Sequence, residues 1–128
     1  MLMGDKMYQW KKGTAYNSVV TIYPSNLTLN IVAAGYFNEV RFCMLGYDKS
    51  EGKVAIRPVS KNEIDLKLVP LENLYKIFQG KSYSRISCKA LIDEIKENFT
   101  IAVNGNKFYT SFDEEDEMLI IDLKKEVG

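Results

Sequence analysis

The stretch that decides the fold is Val19–Phe37, which reads VVTIYPSNLTLNIVAAGYF. It begins inside a segment, residues 16–23, whose β-branched and aromatic residues are typical of a strand. The Pro-Ser-Asn sequence at 24–26 favours a turn, because proline presets φ and the polar side chains can bond to the local backbone. Residues 27–29 then predict a second, short strand.

The same pattern continues into a helix and a hairpin. Asn30 is a good N-cap, and the apolar run Ile31–Phe37 is long enough for about two helical turns. Val40–Tyr47 and Lys53–Val59 predict two strands joined by the polar turn 48–52. The first half is therefore expected to run strand, strand, short helix and hairpin.

A connector, residues 60–73, leads to the second half, and 64–68 within it alternates like an edge strand. Residues 74–78 and 83–86 predict another hairpin. A helix over 70–79 is the alternative, because apolar residues there recur at helical spacing.

The rest of the second half contains the clearest helix. We expect it over Cys88–Phe99, capped by Ser87, with an apolar face of Leu91, Ile92, Ile95 and Phe99. The Asn-Gly pair at 104–105 favours a tight turn between strands at 100–103 and 107–109. An acidic turn, 113–117, precedes a last strand, Met118–Leu123.

The two halves align in this order. Tyr47 aligns with Phe112, and Leu29 aligns with Ile86 at a slightly smaller displacement along the chain. The alternative is a chance match, since hairpins and short helices align easily. We expect an α+β fold, mostly antiparallel β-hairpins with two short helices and an internal pseudo-repeat. The expected parts are an N-terminal arm (1–15) and a single domain (16–128), whose pseudo-repeats (16–59 and 74–123) are joined by the connector (60–73).

From Val19 to Val59 the chain resembles the AbrB/SpoVT-like swapped-hairpin domain of bacterial transition-state regulators and antitoxins. That family runs strand, turn, strand, a short helix opened by a capping or proline residue, and a β-hairpin, which here ends in AIRPV at 55–59. Residues 74–123 resemble it more loosely. The resemblance implies a DNA-binding regulator in which two chains interlock and basic residues of the turn and short helix contact phosphates.

The resemblance also places candidate DNA contacts on this chain. The family's turn arginine falls on Asn26, and its paired helix arginines fall on Ala34 and Gly35. Basic residues near the matching part of the second half, and in the N-terminal arm beside Tyr8 and Trp10, complete the set, although an ordinary solvated arm is the alternative there. The candidate DNA-contacting residues are Lys6, Lys11, Lys12, Asn26, Lys81, Arg85 and Lys89.

Charge is unevenly divided along the chain. It carries 17 basic and 17 acidic residues, with a surplus of three basic residues in 1–64 and of three acidic residues in 65–128. Glu114, Glu115 and Glu117 form a candidate docking surface for a basic protein partner. Their alternative role is that of a solvated hairpin tip, which also discourages aggregation.

Composition excludes several classes of function. The chain has no histidine, which rules out Ser-His-Asp and Cys-His nucleophiles and a histidine base. Without histidine or a Cys-x-x-Cys motif we expect no zinc site and no cofactor. Cys43 and Cys88 are expected to be reduced core thiols, and a disulfide between them is the alternative. No apolar run is long enough for a membrane span, and we expect a cytoplasmic location.

The sequence thus predicts a non-enzymatic AbrB-like regulatory or accessory protein, either a DNA-binding transcription regulator or an antitoxin-like protein. The alternative is a protein-interaction module without DNA binding, such as an accessory or inhibitor protein of a mobile element. A homodimer is expected if the hairpins swap between chains, and a monomer if the two halves pack on each other.

Overall fold

A computed structural model describes residues 7–11, 13 and 16–128, and in these ranges nine antiparallel strands form one sheet. The strands are β1 (Val19–Ile22), β2 (Asn26–Leu29), β3 (Phe42–Asp48), β4 (Lys53–Val59), β5 (Tyr75–Lys76), β6 (Phe78–Gln79), β7 (Ser84–Ser87), β8 (Asn106–Asp113) and β9 (Met118–Glu126). The helices are α1 (Ile31–Ala34), α2 (Lys61–Asp65) and α3 (Lys89–Asn98), with 3₁₀ turns at Gly35–Phe37 and Leu71–Asn73. The expected α+β class with antiparallel hairpins is confirmed.

The two ends of the sheet meet in one short segment. The strand order is β5-β3-β4-β9-β8-β1-β2-β7-β6, yet only Ile77 separates β5 from β6 in sequence. The Ile77 N–H donates to the carbonyl oxygen of Arg41 at 2.9 Å. Residues 75–79 therefore pair with β3 at one end and with β7 at the other, which leaves the sheet nearly closed.

The hydrophobic core fills the space that the sheet encloses. Alternate residues of β2, such as Leu27 and Leu29, are fully buried, as are Phe37 and Phe108. Burying one such side chain contributes about 1.5–3 kcal/mol. Helix α3 adds its apolar face to the same core, with Leu91, Ile92 and Ile95 buried there.

Asn30 fixes the junction between β2 and α1. Its Oδ1 accepts hydrogen bonds from the N–H groups of Ala33 at 3.0 Å and Val19 at 3.2 Å, and its Nδ2 donates to the Asn17 carbonyl at 2.7 Å. The predicted N-cap is confirmed, and the same side chain also holds the start of β1 against the helix.

The connector contains a helix where the sequence pattern predicts a strand. The edge strand predicted for 64–68 is wrong, and the described residues hold three α-helices where two were expected. The reason lies in the capping box at the start of α2, where Ser60 Oγ accepts from the Glu63 N–H and Glu63 Oε1 accepts from the Ser60 N–H, both at 3.1 Å. The helix start favoured by the Ser-x-x-Glu spacing therefore forms in place of the strand that the weak alternation of apolar residues predicts.

Two other local predictions need correction. No strand forms at 100–103, because β8 pairs with β1 on one side and β9 on the other, so no edge is left for an Asn-Gly hairpin. The Gly105 N–H instead donates to the Ile22 carbonyl at 2.9 Å. The helix considered for 70–79 is also wrong, since β5 and β6 lie there. The predicted hairpin with the following strand is confirmed only in part, because β6 pairs with β7 whereas β5 pairs with β3.

Candidate nucleic-acid interface

Five outward-facing residues line up across five neighbouring strands. Lys107 lies opposite Thr21, Thr21 opposite Thr28, Thr28 opposite Arg85, and Arg85 opposite Phe78. Their neighbours along these strands include the buried core residues Val20, Ile22, Leu27, Leu29, Ile86 and Phe108. Because successive side chains of a strand point to opposite faces, these five residues, here called the cross-strand row, face away from the core. The side chains of Lys107, Arg85 and Phe78 are exposed, whereas Thr28 is half-buried and Thr21 is only 7% exposed.

The chain around the cross-strand row is poor in acidic residues. Residues 14–38 contain no charged residue, and residues 73–92 contain four basic and no acidic residues. Lys107 reaches along the row, with its Nζ 3.5 Å from Thr21 Oγ1. At that end Glu126 lies opposite Phe108 and accepts a hydrogen bond from Asn106 at 2.8 Å. The row therefore carries positive charge, with this acid close to its Lys107 end.

An aromatic cluster occupies the other end of the row. Phe78 is 50% exposed and Tyr83 is 37% exposed, with ring centroids 6.0 Å apart. The guanidinium carbon of Arg85 lies 4.9 Å from the centroid of the Phe78 ring. This cation–π contact orients the Arg85 fork while its planar edge stays available for an external acceptor.

Two residues predicted from sequence, Asn26 and Arg85, lie on this surface. Asn26 is on the same face of β2 as Thr28, whose hydroxyl donates to Asn26 Oδ1 at 2.8 Å. Arg85 belongs to the row itself. Lys89 begins α3, where its Nζ lies 2.8 Å from Asp93 Oδ2 and lowers the pKa of that carboxyl by hydrogen bonding.

Lys81 lies in the turn between β6 and β7, against the end of α1. A small cavity of about 90 Å³ is lined by Lys81, Tyr83, Ala34 and Gly35, among others. The positions that correspond to the family's helix arginines therefore have a lysine from another turn beside them. Gln79 holds that turn in place by donating from Nε2 to the carbonyls of Phe37 and Val40, both at 2.9 Å.

The predicted N-terminal contacts are only partly described. Lys6 and Lys12 lie outside the described residues. Lys11 is exposed, in a segment where the rings of Tyr8 and Trp10 lie 6.2 Å apart. The structure does not bring Lys11 together with the cross-strand row.

The acidic residues lie at the tip of the β8–β9 hairpin. Glu114, Glu115 and Glu117 are all exposed. Asp113 organises the turn, since its Oδ1 accepts hydrogen bonds from the N–H groups of Glu115 at 3.0 Å and Asp116 at 3.1 Å. The three glutamates thus share one exposed tip, as their spacing predicts.

The β3–β4 turn has a closely related design. Asp48 Oδ1 accepts hydrogen bonds from the Ser50 hydroxyl at 2.8 Å and the Glu51 N–H at 3.1 Å, and these bonds lower the pKa of the Asp48 carboxyl. Both turns end at a positive φ, of 66° at Gly52 and 52° at Glu117. Gly52 and Glu117 are also matched by the alignment that pairs Asp48 with Asp113.

Sequence reasoning missed Lys107, Phe78 and the nearby Lys76. Lys107 joins the row only through the β1–β8 ladder, which links Lys107 to Thr21 in the distant first half. A local signal did exist, namely the stretch 73–92 with four positive charges and no acid. A count in short windows, rather than by halves, would have found it.

The same described ranges also bear on other kinds of site. Cys43 and Cys88 are free and buried, and desolvation raises the pKa of each thiol to about 12. No group of three or more histidine, cysteine, aspartate or glutamate side chains is arranged there to hold a metal. The helices described are all too short or too polar to cross a membrane.

Comparison with protein-family models, curated proteins and solved structures found no match to this chain.

Proposed function

We propose that this chain is a non-enzymatic regulatory or accessory protein that binds double-stranded DNA through the cross-strand row. The observation that carries the proposal is the alignment of Lys107 and Arg85 on one acid-poor face, across Thr21 and Thr28. Hydroxyl and basic side chains are the groups that contact phosphate oxygens in protein–DNA complexes. Asn26 extends the same surface along β2, and Lys81 is a further basic residue, in the turn that follows Phe78.

The electrostatics of this face fit a polyanion better than the zero net charge suggests. Binding to duplex DNA gains most of its affinity from local neutralisation of phosphates, so the distribution of charge matters more than the total. The acids of this chain include the exposed tip at 113–117, on a turn that contributes nothing to the row. Charge segregation of this kind favours one orientation towards DNA.

We also propose that the fold is an AbrB-like pseudo-repeat, and the strand registers support this. The pairs Thr21–Thr28 and Ile22–Leu27 of the first half recur in the second half as Phe78–Arg85 and Gln79–Ser84. This displacement is the one that aligns Leu29 with Ile86.

The second hairpin of each half also has the same strand register. The four successive pairs from Leu45–Ile56 to Asp48–Lys53 recur as the pairs from Thr110–Ile121 to Asp113–Met118. This displacement is the one that aligns Tyr47 with Phe112. A repeat of hairpins in identical register is difficult to reconcile with a chance alignment.

A single chain is the proposed functional unit, acting in the cytoplasm. Strand β2 pairs with β7, and β4 pairs with β9, so each half completes its sheet with the other half. In the swapped-hairpin family two chains interlock, whereas here the two halves of one chain would supply both partners. A monomer therefore suffices for the closed sheet.

The alternative function, a protein-interaction module, rests on the acidic tip. The β3–β4 turn mixes Asp48, Lys49 and Glu51, while the equivalent β8–β9 turn consists of five consecutive acids, 113–117. Replacing Glu114, Glu115 and Glu117 by glutamine would abolish capture of a basic partner if this tip docks it.

Fluorescence anisotropy with a labelled duplex, at a series of salt concentrations, tests the DNA proposal directly. We expect measurable binding in low salt and a linear fall of log K with log salt concentration. Absence of duplex binding at micromolar protein in low salt would refute it and favour the interaction module.

A further inference from the structure

A groove of about 640 Å³ opens between the start of β3 and helix α2. Its lining combines apolar and charged side chains, namely Val40, Phe42, Val59 and Ile64 with Glu39, Arg41, Ser60 and Lys61. No residue of the cross-strand row lines it. Its volume lies within the range of about 300–1,000 Å³ typical of small-molecule sites.

The connector creates this groove on the outer face of the sheet. Phe42 lies opposite Val59, and both point away from the core that Cys43 and Ile56 enter. Val59 is nevertheless only 2% exposed. Helix α2 is anchored beside it by the ion pair of Arg57 with Glu63, whose Nη2 and Oε2 are 2.6 Å apart.

The matching place in the other half of the chain has a different character. The alignment that pairs Tyr47 with Phe112 places Lys107 at the position of Phe42 and Lys124 at the position of Val59, and both lysines are exposed. The two lysines do not lie opposite each other, because the β8–β9 register shifts between Phe108 and Thr110, so the apolar pair of the first half has no counterpart at this place. The groove is a feature that the first half has gained together with the connector.

The charges around the groove favour an anion. Arg41 and Lys61 line it, and Lys76 lies opposite Phe42 from β5, whereas Glu39 is the acid in the lining. The carboxylate of Glu63 is already bound by Arg57 and by the backbone of Ser60. The start of α2 does not contribute to anion binding, because the capping box of Ser60 and Glu63 already binds the backbone N–H groups there.

We propose that this groove binds a small amphipathic carboxylate, with the anion between Arg41 and Lys61 and the apolar body against Phe42, Val59 and Ile64. Paired basic side chains form charge-assisted hydrogen bonds to a carboxylate, and apolar walls bury an aliphatic chain. The surface is distinct from the proposed DNA interface, so ligand binding here stands or falls independently of DNA binding.

Octanoate is a suitable probe, with octan-1-ol as its uncharged match. In an NMR titration we expect octanoate to shift the methyl signals of Val40, Val59 and Ile64, with much weaker effects from octan-1-ol. The double variant Arg41→Gln/Lys61→Gln should weaken octanoate binding by about tenfold or more, since each charge-assisted bond is strong. The matched control Lys49→Gln/Lys96→Gln removes the same charge elsewhere and should retain the affinity.

Three results would overturn the proposal. The first is octanoate binding that is equally tight in the Arg41→Gln/Lys61→Gln variant, and the second is methyl shifts scattered over other parts of the protein. The third is a response of the same methyl groups to a short peptide with an apolar C-terminal residue and a free carboxylate, without any response to octanoate. That third result would assign the groove to a protein partner.

Discussion

The ring of Tyr36 stacks on the ring of Phe112, with centroids 4.4 Å apart and planes inclined by 3°. Phe99 and Tyr47 form a related contact, with centroids 6.4 Å apart. Tyr36 follows α1 and Phe99 follows α3, while Tyr47 in β3 and Phe112 in β8 are positions that the sequence alignment of the two halves pairs. The residues that follow α1 and α3 therefore pack on the hairpin of the other half.

This crossed packing predicts an energetic coupling between the halves. In a double-mutant cycle with Tyr36→Ala and Phe112→Ala, we expect a coupling free energy of about 0.5–1.5 kcal/mol, as for other aromatic pairs. Urea unfolding of the four proteins measures it. Strict additivity of the two single changes would show that the stacked geometry contributes nothing to holding the halves together.

The β3–β4 and β8–β9 turns predict opposite responses to substitution. Glu117→Gly should stabilise the protein by up to about 1 kcal/mol, because glycine adopts a positive φ without the steric cost of a side chain. Gly52→Ala should destabilise it by about 1–2 kcal/mol, since the residue has a φ of 66° and an added Cβ would lie 2.8 Å from the Phe99 ring.

Thermal or urea unfolding of both variants checks this pair. A stability loss in Glu117→Gly that matches the loss in Gly52→Ala would mean that the shared turn conformation does not set the stability of these positions.

The hydroxyl of Tyr47 is a buried oxygen with no hydrogen-bond partner in the described residues. Removing an unpartnered buried polar atom also removes its desolvation penalty, so Tyr47→Phe should leave stability unchanged or raise it by about 1 kcal/mol. The residue that the alignment pairs with Tyr47 in the second half is already phenylalanine, Phe112. Loss of stability in Tyr47→Phe would reveal a hydrogen bond that the hydroxyl makes in solution.

The two cysteines predict a loss of stability at alkaline pH. Burial raises the pKa of Cys43 and Cys88 from 9.0 to about 12, so between these values the folded protein holds protons that the unfolded chain has lost. Their contribution is therefore fully present below about pH 9 and disappears as the pH rises towards 12. The free energy of unfolding should fall between pH 8 and pH 10.5, and this fall should be smaller in the Cys43→Ala/Cys88→Ala variant than in the natural protein. An equal difference in both would assign the alkaline loss to other groups.

Parts of the fold that depend on interactions between residues close in sequence could be predicted from the sequence, and parts that depend on distant residues could not. Hairpins with short turns, such as the one around 48–52, follow from local alternation and turn residues, and so does the alignment of Tyr47 with Phe112. The capping box at Ser60 and Glu63 is equally local, but the weaker strand pattern beside it led to the wrong prediction. The closure of the sheet through Ile77 does not follow from local patterns, because it depends on pairings with distant strands.

The candidate site divides in the same manner. Asn26 and Arg85 were predicted through the resemblance to the swapped-hairpin family, because each lies in or near a stretch that matches the order of elements in that family. Lys107 was not found, because its place beside Thr21 depends on a ladder between β1 and β8 that no local pattern reveals. Residues that become neighbours only through pairing of distant strands can be identified once the strand register is known, but not from the sequence alone.

The measurement that tests the central claim most directly is duplex DNA binding by the Arg85→Gln/Lys107→Gln variant, beside the control Lys49→Gln/Lys96→Gln. The cross-strand row predicts that the first variant loses about tenfold or more in affinity at low salt and that its salt dependence weakens by about two phosphate contacts. The control, which removes the same charge away from the row, should keep both properties. Equal losses in the two variants, or none in the first, would contradict the assignment of DNA binding to this surface.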